Sequence, residues 1–228
     1  MCYNFKKRYG INMRNINFNS VNLQSFSKND LSYNENELRS YLGVRSFDEF
    51  NKLKPKIDDL KECVIDASNP KGCWSAVKVG NDACGNVLIG ETVAESKDLS
   101  TNLLNCDFAM VFCATLGVGV DRLIRKNIVK SSADGVICNA IASAYIEGLC
   151  DKINDQFKND FGAFNPRYSC GYGDLSITYQ RKFLDMLNAE KNIGVFCTDK
   201  FILIPSKSVT AIVGHKKGID DENIGKIK

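Results

Sequence analysis

Asp107-Phe-Ala-Met-Val-Phe-Cys-Ala-Thr115 is apolar at every position between its polar ends. A half-buried strand alternates apolar and polar residues, so this unbroken run predicts a strand buried on both faces. Directly after it, Leu116 to Val129 turns helical. Gly117-Val-Gly119 then reads as a tight strand-to-helix turn. A dinucleotide-binding fingerprint needs a third glycine where Arg122 stands, so the turn is poor evidence for a phosphate loop.

The longest helical pattern follows, from Ala133 to Phe157. Ile141, Tyr145, Ile146, Leu149 and Ile153 form one broad apolar face. Ala140, Ser143, Ala144, Glu147 and Asp151 form the opposite face, which is small and polar and so admits a close approach. Upstream, Trp74 to Val79 and Val87 to Thr92 read as strands joined by a turn at Asn81 to Gly85. Lys97 to Leu104 reads as a short helix. Asn34 to Leu42 is a helix stopped by Gly43, and Ser46-Phe-Asp-Glu49 is a capping box opening another that runs to Ala67. Pro55 inside that pattern predicts a kink or a restart.

Downstream, Asn159 to Gly173 is a loop. Asp174 is placed to cap a helix carrying Leu175, Tyr179, Phe183, Met186 and Leu187. Strands are expected near Gly194–Cys197, Phe201–Ile204 and Ser208–Val213. Strands in the middle and at the end, with helices between, favour an α+β fold over a βαβ series. The expected organisation is one domain over 31–213, a loose arm or edge strand over 1–30, and a flexible tail over 214–228.

The chain has 228 residues with 44% hydrophobic and 25% charged, an ordinary globular composition. A net charge of +3 on 30 basic and 27 acidic residues gives no argument for nucleic acid. The longest apolar stretch, Phe108 to Val120, is too short to span a bilayer. There are ten cysteines and one histidine, His215. No cysteines are spaced as CxxC, which argues against a zinc or iron–sulfur site. With no apolar leader segment, the thiols read as buried small hydrophobes of a reducing cytoplasm. A Ser–His or Cys–His nucleophile would have to use His215.

Two motifs remain. Arg167-Tyr-Ser-Cys-Gly171-Tyr172-Gly173-Asp174 gathers a guanidinium, two glycines and two tyrosines in one loop. Glycines let backbone N–H groups approach a ligand, Arg offers a fork to a carboxylate, and Tyr offers its face to a cation or flat ring. Such a loop suits a zwitterionic ligand with an aromatic part, although an ordinary loop with an ion-paired Arg would look the same. Thr198-Asp-Lys-Phe201-Ile-Leu-Ile-Pro205-Ser-Lys-Ser208-Val209 reads as a structural edge beside it.

Together, in this order, these segments resemble the activation domain of cobalamin-dependent methionine synthase. The likeness is greatest to its short stand-alone bacterial relatives. The family shows Arg-x-x-x-Gly-Tyr, a helix, then Thr-x-x-x-x-x-x-Pro-x-x-Ser-Val. Arg167, Gly171 and Tyr172, then Thr198, Pro205, Ser208 and Val209, stand at those positions. Ala114 to Gly117 and the helix holding Glu147 fit more weakly. The resemblance implies an α+β fold with a mostly antiparallel twisted sheet and flanking helices.

It also implies binding of S-adenosylmethionine, presented to a reduced cobalamin held by another chain. Arg167 would hold the methionine carboxylate. The backbone of Ser169, Cys170 and Gly171 would hydrogen-bond the ligand, Tyr172 would pack on it, and Glu147 would face its ammonium or sulfonium. Where the full-length enzyme has an acidic contact, six residues before the arginine, this chain has Phe161, with Asp160 adjacent. No Asp-x-His-x-x-Gly is present, so the cobalamin would come from a partner: a cobalamin-binding methionine synthase or another corrinoid protein. A flavodoxin-like or other reductant would supply electrons. The role implied is positioning, without independent catalysis. A scaffold that docks a corrinoid protein without the ligand is an alternative. A separate enzyme using Glu147 or Asp174 as base is another.

Overall fold

The structure, a computed structural model, describes residues 16–216. In chain order it contains β1 (Asn22–Ser25), α1 (Glu35–Leu42), α2 (Phe47–Ala67), β2 (Lys71–Asn81), β3 (Val87–Ile89), β4 (Thr92–Ala94), α3 (Lys97–Asn102) and β5 (Cys106–Thr115). It continues with α4 (Val118–Lys130), α5 (Ser132–Phe161), α6 (Tyr179–Met186), α7 (Ala189–Ile193), β6 (Phe196–Cys197), β7 (Leu203–Ile204) and β8 (Ser208–Lys216).

The Asp107–Thr115 run lies within β5, which pairs antiparallel with β2 on one side and β8 on the other. Successive side chains of a strand point to opposite faces. Here Phe108, Met110, Phe112 and Ala114 enter a core shared with α2, α4 and α5. Ala109, Val111 and Cys113 enter a second core with Leu99, Phe183, Leu184 and Ile193. Two-sided burial is the reason the sequence shows no alternation. The sheet order is β4-β3-β2-β5-β8, with β1 also beside β2, and β6–β7 form a separate ribbon. All these pairings are antiparallel. The fold is therefore α+β, a mostly antiparallel sheet between helices.

Several expectations need correction. Pro55 does not interrupt α2, which runs on through it. Pro55 sits on the exposed face, where water can take up the carbonyl it leaves unpaired, while Phe50, Ile57, Leu60 and Val64 hold the buried stripe. The small face of α5 is not open, because Ala140 and Ala144 are buried. The close approach comes from the chain itself: a Cβ on Gly148 would collide with the carbonyl oxygen of Ser32. Of the two readings for residues 1–30, a loose arm or an edge strand, Asn22–Ser25 takes the second and pairs with Lys71–Trp74. Residues 1–15 and 217–228 lie outside the described residues.

The expected tail also gives way at its start, since β8 continues to Lys216. His215 is a core residue: its ring stacks on Phe108 at 4.5 Å, and Nε2 donates to the Phe161 carbonyl at 2.8 Å. Burial pushes its pKa below the ordinary 6.5, and the Phe161 carbonyl and Asp107 only oppose this. The unfolded chain then binds the proton more readily than the folded one, so stability is full above pH 6.5 and falls as pH drops below it. Thermal unfolding followed by circular dichroism should show a lower midpoint at about pH 5 than at pH 7. His215→Phe should flatten that slope.

Five of the nine described cysteines are buried. No helix among the described residues is long and apolar enough to cross a membrane.

Candidate functional site

After α5 the chain crosses the outer edge of β8. Phe164 bridges His215, and Tyr168 bridges Ile212 through two main-chain hydrogen bonds of 2.9 Å. Ile212 thus turns its N–H and C=O outward. The alternation of an antiparallel strand turns those of Ser208 and Thr210 the same way. There the loop has left the edge, and both residues line a cleft of about 380 Å³. That volume falls within the range of about 300–1,000 Å³ typical of small-molecule sites.

Arg167 leaves the loop just before Tyr168 and reaches α5. Its Nη2 donates to Glu147 Oε2 at 2.9 Å, and its Nη1 donates to Asp151 Oδ1 at 2.7 Å. The two carboxylates stand one helical turn apart, so one guanidinium spans both. Burial pushes the Glu147 carboxyl up, against the lowering effect of Arg167. Arg167, Glu147, Ser169 and Tyr172 all line the cleft. Tyr172 is 70% exposed, its ring free at the rim. Glu147 and Tyr172 also line a second cleft of about 450 Å³, walled by Asn36, Glu37, Ser40 and Tyr41 of α1.

The loop after Arg167 is held by its own turns. Gly171 N–H donates to the Leu175 carbonyl at 2.9 Å, and Tyr172 N–H to that of Ser169 at 3.2 Å. Gly173 has φ +50°, a left-handed backbone that favours glycine, and a Cβ there would push aside the Asp98 carboxylate and the Tyr168 hydroxyl. Asp174 does not cap α6, which begins at Tyr179. Its carboxylate instead accepts from the Ser96 hydroxyl and from the N–H groups of Lys97 (2.7 Å) and Asp98 (3.3 Å), tying the loop to the start of α3. The Ser96 hydroxyl, aided by these N–H groups, holds its pKa below the usual carboxylate range. Committed to this cap, Asp174 is a poor general base.

The sequence-expected residues are not all brought together. The Cys170 side chain packs into the second core, and burial pushes its thiol up to about 12, so only its backbone faces the loop. Asp160 lies near the far end of α5, about 20 Å along the helix from Glu147. His215, between Phe108 and Phe164, is equally removed from a nucleophile's role.

Other residues of the cleft went unread. Gln180 is buried on the apolar face of α6, its Nε2 donating to the Phe201 carbonyl at 2.6 Å and its Oε1 accepting from Thr210 at 3.3 Å. A glutamine among Phe183 and Leu184 was the available signal. Leu203, Ser208 and Val209 belong to the Thr198–Val209 segment that reads as a structural edge, and Thr210 follows it directly.

No protein-family model matches this chain, and no curated protein matches it. Among solved structures, the chain is similar to the crystal structure of the MetH reactivation domain bound to AdoHcy. The TM-score is 0.71 at 14% identity, with 86% of this chain and 78% of that one covered. A likeness at that identity is one of architecture: this chain has the α+β fold of the MetH reactivation domain.

Proposed function

We propose that this chain binds S-adenosylmethionine in the Arg167 cleft and serves the reductive remethylation of a corrinoid held by another chain in the cytoplasm. What carries the reading is a guanidinium and a carboxylate facing one cleft beneath an exposed tyrosine, in a fold shared with a domain that binds AdoHcy. When bound, S-adenosylmethionine would supply the methyl group. The acceptor would be the cobalamin of a methionine synthase or related corrinoid protein, kept reduced by a flavodoxin-like or other reductant.

The chain's own share is placement. Arg167 offers two parallel N–H groups to the ligand carboxylate. Glu147 offers a partly desolvated negative charge to the ammonium or sulfonium. The outward N–H and C=O groups of Ser208 and Thr210 suit the polar edge of a heterocycle, and Tyr172 can cover its face. Holding the donor in place lowers the entropic cost of transfer without any acid–base step by the protein.

Calorimetric titration of the protein with S-adenosylmethionine should give saturable one-site binding. No heat and no competition by S-adenosylhomocysteine, with and without a corrinoid protein, would overturn the reading. A scaffold that docks the corrinoid protein without the ligand is the second reading. The observation favouring it is that Arg167 is already paired with Glu147 and Asp151. It requires the corrinoid complex to form equally well with Arg167→Ala.

A further inference from the structure

We infer that Asp151 is a built-in competitor for the ligand's carboxylate at Arg167 and so sets the affinity of the cleft. The inference rests on the reading above, in which Arg167 receives that carboxylate. Both terminal nitrogens of the guanidinium are already engaged, Nη2 by Glu147 and Nη1 by Asp151. The guanidinium keeps N–H groups to spare, but an incoming carboxylate would be the third negative group around one positive charge, so it competes with the most weakly held resident.

The two residents differ. The Glu147 side chain is 29% exposed and lines the cleft, where it can answer the ligand's positive groups. The Asp151 side chain is 60% exposed, lies outside the lining and has water to return to. An ion pair so exposed is held weakly, since water solvates the freed carboxylate at little cost. Asp151 therefore yields. In the ligand-free protein it keeps the half-buried guanidinium paired and in place. Ligand binding must first break that pair, and the measured affinity is reduced by its strength.

The test compares Asp151→Asn and Asp151→Ala with the parent protein by calorimetry. Each is titrated with S-adenosylmethionine and with its decarboxylated analogue, which carries the same sulfonium and adenosine. Both variants should bind S-adenosylmethionine about 1.5- to 5-fold more tightly, the size set by an exposed ion pair. Their affinity for the decarboxylated analogue should stay unchanged. Unchanged or weaker binding of S-adenosylmethionine would overturn the competitor role, as would equal tightening of both ligands. If the parent protein itself fails to bind S-adenosylmethionine, the proposed ligand falls first and this role falls with it.

Discussion

Arg167→Ala should lose binding of S-adenosylmethionine by about 10- to 150-fold in a calorimetric titration, the worth of charge-assisted hydrogen bonds at about 1.5–3 kcal/mol. Two effects act together. The fork that would grip the carboxylate is gone. In addition, Glu147 and Asp151 lose the cation that both now share at 2.9 and 2.7 Å. Burial already pushes the Glu147 carboxyl up, and Arg167 is the main influence opposing it. Without Arg167 the carboxyl rises further, and Glu147 offers less negative charge to the ligand's positive groups. Arg167→Lys should fall between, because it keeps the charge but not the planar fork. Binding of the alanine variant within twofold of the parent would remove Arg167 from the site.

Gly148→Ala should destabilise the protein, reversing the usual sign of this exchange. In a solvent-facing helix the change gains about 0.5–1 kcal/mol, because glycine loses more backbone freedom on folding. Here the new Cβ would sit on the carbonyl oxygen of Ser32, which is backbone and cannot swing aside. Tyr33 follows directly, edge-on to Tyr145 of α5 with ring centroids 5.0 Å apart. The strain therefore reaches the segment leading into α1. Overpacking of this kind costs about 1–3 kcal/mol, or about 2–12 °C in the unfolding midpoint of a chain this size. Gly80→Ala is the control: no atom lies within 4 Å of the added Cβ, and its midpoint should hold. A Gly148→Ala variant as stable as the parent would refute the close contact.

The legible parts of this chain are those in which one local pattern has one physical cause. An unbroken apolar run means burial on two faces, and β5 feeds Phe112 to one core and Val111 to the other. The cap at Ser46 is similarly plain, and its hydroxyl accepts from Asp48 N–H at the head of α2. Misreadings came where a residue's partner is distant in the chain. Asp174 precedes α6 but caps α3, whose N-terminus lies more than seventy residues earlier. Pro55 would break a buried helix and is tolerated because its face is wet. His215 stands among charged residues near the chain's end and yet stacks on Phe108.

The candidate site divides in the same way. Arg167, Ser169, Gly171 and Tyr172 are neighbours in one loop, so their chemistry could be read together. Ser208 and Thr210 contribute outward main-chain groups, and those leave no mark in the residue names.

From the residues alone come the α+β class, the two-sided central strand and the arginine–tyrosine loop. These follow from periodicity and local backbone chemistry, which act over a few residues. Tertiary packing alone decides that Arg167 meets Glu147 and Asp151, that Cys170 turns inward and that Gly148 admits a carbonyl. Each depends on where a distant segment lands, a placement settled by burying both faces of one sheet at once.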